Sequence, residues 1–191
     1  MPGPSEFAGK RLVVTGGDTP LGVATAHAFM SRGGHVILAG ADEARLAEAR
    51  QALGPVRLGP LVSALDTEAD CTLAVDAAGG PVFAIVCLPH GPDADATRTR
   101  LMADRLAAAF ATRHDTRHAA RLVLCGAAGD VAEQVRALAR SMAPGVLVNA
   151  VAPAGTVPAE QVAGVIRFLC SEDAASVTGQ TLVADGGQGL G

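Results

Sequence analysis

Seven short apolar runs punctuate the chain, separated by longer Ala-rich stretches with helical spacing. The runs are Arg11–Thr15, His35–Ala39, Val56–Val62, Val82–Leu88, Arg121–Cys125, Val146–Val151 and Thr181–Ala184. The stretches between them predict helices over about Pro20–Ser31, Glu43–Leu53, Glu68–Ala77, Ala94–His114, Val131–Ala143 and Glu160–Cys170. A continuously apolar strand has no face to show to water, so helices must cover both sides of its sheet. Right-handed crossovers then give a doubly wound α/β fold. No repeat, linker or second domain interrupts the pattern. Residues 1–191 are expected to form one domain, with a loose arm over 1–9 and a glycine-rich tail over Gly186–Gly191.

The 191 residues suffice for one substantial core. They are 49% hydrophobic and 18% charged, which argues against disorder. The net charge is −4 and no Lys/Arg cluster occurs, so nucleic acid is not an expected partner. Lys10 is the only lysine, and there is no Tyr and no Trp. No apolar run is long enough to span a bilayer, and membrane is not an expected partner. The start, MPGPSEFAGK, has neither the basic nor the apolar region of a secretory signal. Cys71, Cys87, Cys125 and Cys170 are far apart and read as reduced thiols, so a cytoplasmic location is expected.

The first strand runs into Thr15–Gly22, TGGDTPLG, and then into a helix. An α/β protein cradles a cofactor phosphate at such a junction. Gly16 permits the tight turn, and Gly22 lets the helix pack on the strand. Gly16, Asp18, Leu21 and Gly22 are the positions where a dinucleotide would be held. Pro20, however, occupies the middle position, bringing bulk and no N–H. Asp18 supplies a carboxylate that competes with phosphate for helix N–H groups. Thr19-Pro20 also reads as an N-cap followed by a favoured first helical residue.

Three segments together carry a family resemblance: TGGDTPLG, VNAVAPAGT (Val148–Thr156) and AGVIRFLCSEDAASVTGQTLVADGG (Ala163–Gly187). The chain resembles the short-chain dehydrogenase/reductase (SDR) family of NAD(P)-dependent enzymes over its whole length. The resemblance implies a Rossmann-like, seven-stranded parallel sheet of order 3-2-1-4-5-6-7, with cofactor and substrate at the carboxyl ends of the strands. It also implies catalysis by a Tyr-x-x-x-Lys pair, helped by Ser and Asn.

Those positions differ here. The chain has no Tyr, and Lys10 precedes the first strand. Cys125 and Gly126 stand at the end of the fifth strand, with Gly126 in the Ser position, and Arg105 stands in the Asn position. The segments that carry the family's substrate contacts are short, as AAGD runs into VAEQVRALARSMAP and VAPAGT into VPAEQVAG. Gly40 and Ala41 replace the acidic tip of the second strand, with Asp42 and Glu43 in the first helical turn beyond. Cys87-Leu88-Pro89-His90-Gly91 replaces the family's Asn-Asn-Ala-Gly. The adenine-contacting Asp is Ala64 in one register and Asp66 in another. These departures lead us to expect no or weak NAD(P) binding.

Two further groupings invite chemistry. Cys87, His90 and Cys125 would lie near one crevice, as a thiol–imidazole pair or a zinc site, or as buried thiols beside a turn. His114 and His118, if helical, would share a metal, but no further ligand is evident and a polar helix end is the simpler expectation. In the SDR family, the helices flanking the fifth strand form one dimer interface, and the last helix and strand form another. The functional expectation is a catalytically inactive structural or regulatory subunit, in a homo-oligomer or a hetero-oligomer with a full-length SDR. The alternative is atypical chemistry (cyclisation, isomerisation or reduction) using Cys87, His90, Cys125 and Asn149.

Overall fold

A computed structural model of the chain describes residues 6–54, 58–89, 96–114, 116 and 118–190. The strands are β1 (Arg11–Val14), β2 (His35–Gly40), β3 (Leu58–Val62), β4 (Ala84–Cys87), β5 (Ala120–Cys125), β6 (Val146–Pro153) and β7 (Thr181–Ala184). The helices are α1 (Pro20–Met30), α2 (Glu43–Leu53), α3 (Glu68–Asp76), α4 (Ala96–Ala111), α5 (Ala128–Met142) and α6 (Ala159–Cys170). The central apolar runs are strands because their Val, Leu and Ile side chains fill both faces of the sheet, whereas the edge strands β3 and β7 are only partly buried. β4 and β5 are buried at every residue.

The sheet order is β3-β2-β1-β4-β5-β6-β7, and all pairs are parallel. This is the doubly wound order that the family resemblance implies. The order reverses between β1 and β4, where Val13 pairs with Ile37 on one side and Ile85 on the other. Ligands of open α/β sheets bind outside the carboxyl ends of strands at such a reversal.

Two cores sandwich the sheet. Cys71, Leu106, Phe110 and Val135 bring α3, α4 and α5 to one face. Ala26, Phe29, Leu46 and Ile166 bring α1, α2 and α6 to the other.

Three expectations need correction. The described part of the arm, residues 6–9, is not loose: Phe7 is fully buried and meets Phe29 edge-on at 5.0 Å. Glu6 pairs with Arg167 at 3.0 Å and Arg32 at 3.5 Å. Residues 1–5 lie outside the described residues. Helix α5 begins at Ala128 instead of Val131, with Asp130 placing a carboxylate in its first turn. Helix α4 ends at Ala111, so His114 and His118 do not share a helix. His114 instead packs edge-on against Phe110, and Asp115 lies outside the described residues.

Candidate functional site

The loop after β1 is shaped by close backbone approaches. Thr15 is buried, and its hydroxyl donates to the Leu88 carbonyl and accepts from the Leu88 amide, both at 2.7 Å. This pair of hydrogen bonds ties the ends of β1 and β4 together. Gly16 has φ +66°, and a Cβ there would lie 2.9 Å from the Pro89 carbonyl oxygen. A Cβ at Gly22 would overlap the Gly16 carbonyl, so the helix packs on the loop only because residue 22 is glycine. Leu21 packs against the core on the α1, α2 and α6 face.

Several N–H groups of this loop are committed within the chain. Gly17 donates to Ala39 O at 2.8 Å, and Thr19 to Gly16 O at 2.9 Å. Thr19 caps α1, its hydroxyl accepting from the Gly22 amide at 3.1 Å, and Pro20 opens the helix without an N–H. The N-cap reading of Thr19-Pro20 therefore describes the geometry.

Asp18 is 7% exposed and does not engage α1 through its carboxylate as the sequence suggests. Its Oδ2 accepts from the amides of Ala41 at 3.1 Å and Asp42 at 3.2 Å, at the tip of β2. Sequence reasoning missed this partner because it lies in the next strand–helix junction. A dinucleotide places its adenosine ribose at this tip. Here the tip is filled by a carboxylate from within the chain. With Pro20 offering no donor, the residues present do not fit a tightly held dinucleotide. Asp66, one of the two candidates for the adenine contact, is held by Arg98 at 2.8 and 3.1 Å.

The carboxyl ends of β4 and β5 enclose a cavity of about 170 Å³, lined in part by Thr99, Arg100, Gly126, Asp130 and Gln134. Only residues 126–127 separate β5 from α5, and only 154–158 separate β6 from α6. A Cβ at Gly126 would lie 2.8 Å from Val131 Cγ1, so a serine there would require Val131 to move. Asn149 is buried and engaged: its Nδ2 donates to Val177 O at 2.8 Å, and its Oδ1 accepts from Gln180 N at 3.1 Å. Gln134, which the sequence did not single out, donates to Asp104 Oδ1 at 2.7 Å and Arg100 O at 2.8 Å. It joins α5 to α4. Its position between Val131 and Val135 on the buried stripe was the available signal.

Cys87 and Cys125 are both buried. Burial pushes the Cys125 thiol up to about 12 and the Cys87 thiol higher than its ordinary range, so both are protonated at neutral pH. His90 lies outside the described residues. No group of three or more His, Cys, Asp or Glu side chains among the described residues is arranged to hold a metal. Arg105 lies near Cys71, whose thiol it holds down against a larger upward push from burial.

The remaining charge is at the opposite, amino edge of the sheet. Lys10 lies 4.0 Å over the Phe83 ring and pairs with Glu172 at 3.1 Å. Arg121 is 1% exposed, lies 5.5 Å from the same ring, donates to Ser171 O at 3.3 Å and also contacts Ala119 O. Burial raises the Glu172 carboxyl, but the bond from Lys10 and the charges of Lys10 and Arg121 outweigh it and hold the group low.

This architecture matches solved structures along nearly the whole chain. An SDR from Brucella melitensis described as a glucose/ribitol dehydrogenase is 25% identical, with TM-score 0.81 over 95% of this chain and 97% of that one. The chain has the short-chain dehydrogenase/reductase fold. The citronellol catabolism dehydrogenase AtuB of Pseudomonas aeruginosa PAO1 is 24% identical, with TM-score 0.82 and 96% of each chain covered. BdcA (YjgI) from E. coli is 20% identical, with TM-score 0.80 over 94% of this chain and all of that one. No family model and no curated protein matches the sequence. Among the described residues of this SDR fold, no helix is long and apolar enough to cross a membrane.

Proposed function

We propose that this protein is a non-catalytic SDR-fold subunit that assembles with itself or with a full-length SDR. The observation that carries the proposal is that no Tyr–Lys pair stands where the strands end. The chain has no Tyr, and its single lysine is bound to Glu172 at the other edge of the sheet. Asn149 is engaged by backbone groups, and Gly126 leaves the Ser position without a hydroxyl. A hydride transfer to a carbonyl needs an acid within reach of the developing oxyanion. Asp18 and Pro20 add that NAD(P) binds weakly or not at all.

What remains is surface. Leu101 on α4, Phe168 on α6 and Val183 on β7 are large apolar side chains held in solvent. Strand β7 also has no strand on its outer side among the described residues, and such an edge is a ready template for association. We place the protein in a reducing, cytoplasmic compartment on its four free buried thiols. The reading takes residues 1–191 as one unit.

Sedimentation of the purified chain, alone and co-expressed with a full-length SDR of the same source, tests the proposal. The expected result is a dimer or higher species and no turnover of NADH or NADPH with carbonyl substrates. A chain that stays monomeric in both settings, or that oxidises NADPH at an enzymatic rate, overturns it.

A further inference from the structure

We infer that Asp18 is a built-in oxyanion for the β2–α2 corner, and that removing its carboxylate exposes a latent site for a nucleotide phosphate. The inference rests on the proposed cofactor-free reading and gives its physical cause. The amides of Ala41 and Asp42 converge on Asp18 Oδ2 at 3.1 and 3.2 Å. Two adjacent amides at the start of a helix are the donors a phosphate oxygen takes. Here the acceptor comes from residue 18, and it stays in place whether or not a ligand is present.

Two independent observations support substitution rather than simple capping. First, the strand tip has been emptied to admit Asp18. A Cβ at Gly40 would lie 3.1 Å from Asp18 Cγ, 3.1 Å from Asp18 N and 3.2 Å from Asp18 Oδ1. A side chain at position 40 and a carboxylate from position 18 compete for one volume. Second, Asp18 Oδ1 is enclosed and has no hydrogen-bond partner among the described residues. Helix α2 does not need it, because Asp42 already caps that helix by accepting from the Arg45 amide at 3.1 Å. A carboxylate with one oxygen on two amides and the other unpartnered matches an occupant of an anion site better than a structural cap.

Beside this corner a groove of about 1030 Å³ opens between α1, α2 and α6, with Asp18, Pro20, Arg45 and Arg167 among its walls. Asp18 stands between the groove and the two amides. Its fixed negative charge also repels a second anion there. Shortening residue 18 therefore connects a nucleotide-sized space to two free donors and removes the repulsion.

The experiment is thermal unfolding of the native chain, Asp18→Ala and Asp18→Asn in chloride, sulfate or 2′,5′-ADP at equal ionic strength. Asp18→Ala removes the acceptor of two part-buried amides, so its midpoint falls by up to about 5 °C. Sulfate stabilises proteins generally by exclusion, so the informative quantity is its excess effect on the variant over the native chain. The expected result is that 2′,5′-ADP restores at least half of the lost midpoint in Asp18→Ala and leaves the native chain unchanged. Sulfate alone restoring the midpoint to the same extent assigns the site to the oxyanion without the nucleoside, and still supports the inference. Asp18→Asn keeps an oxygen in the corner and is expected to show neither a large drop nor a rescue.

Failure of both anions to rescue Asp18→Ala overturns the inference and leaves the proposed function intact. If Asp18→Ala does not fold in chloride, refolding yield in 2′,5′-ADP against chloride is the readout, with the same outcomes. NADH bound by the native chain at micromolar concentration overturns this inference together with the cofactor-free reading.

Discussion

Arg121 is the most demanding single residue. It lies within a central strand, 1% exposed, with its Nε unpartnered among the described residues. Burial disfavours its charge, and Glu172 at 3.8 Å opposes that effect. Replacing a buried ion by a well-packed apolar side chain is often neutral, whereas truncation leaves a cavity. Arg121→Ala is therefore expected to cost about 3 kcal/mol in urea unfolding, and Arg121→Met less than about 1.5 kcal/mol. Equal losses from both would mean that the charge, and not its stem over Phe83, carries the contribution. The buried thiols make a second prediction. Burial pushes Cys71 up to about 11 and Cys125 and Cys170 up to about 12, from 9.0, with Cys87 raised as well. Between pH 9 and pH 12 the unfolded chain has lost protons that the folded chain keeps. Stability is thus full below pH 9 and falls as pH rises, by about 1.4 kcal/mol per unit for each thiol. Chemical unfolding at pH 8, 9 and 10 checks this, and a midpoint that is flat to pH 10 contradicts it.

Among elements, the strands were the most legible, because a buried parallel strand is written as an unbroken apolar run. Helix starts were legible where a side chain caps them. Thr67 and Asp70 form a reciprocal box at α3, each accepting from the other's amide at 3.1 Å. Thr67→Ala is expected to cost about 1 kcal/mol in the same unfolding measurement, and Thr67→Ser almost nothing. The start of α5 was not legible, since Ala127 caps it with no side-chain bond and leaves no signature. The N-terminal arm was misjudged for another reason. Phe7 looks like an isolated aromatic in a polar stretch, and its partners Phe29 and Phe83 come from distant elements. At the candidate site, Gly16, Gly22, Thr19 and Pro20 were readable because their roles are local. Asp18 was half readable: its sequence context gives an anion near a helix, but only folding decides that the helix is α2.

For the whole molecule, the SDR architecture is complete, and the connections after β5 and β6 at its carboxyl edge are short. Association should then depend on the outer face of the last elements. Val183 is 57% exposed and Phe168 39% exposed. If they form the assembly surface, Val183→Lys with Phe168→Glu should lower the sedimenting mass to that of one chain, while the unfolding free energy of the monomer changes by under about 1 kcal/mol. An unchanged mass places the interface elsewhere. A chain lacking Tyr and Trp has almost no absorbance at 280 nm, so a partner that copurifies will dominate that signal. The cluster of Lys10, Arg121, Phe83 and Glu172 has a further consequence. It braces the sheet from the edge opposite the short connections after β5 and β6, so the loops at the carboxyl edge can be lengthened or rewritten without disturbing the brace. The protein is thus a ready chassis: new chemistry can be grafted at one end while the other keeps the fold assembled.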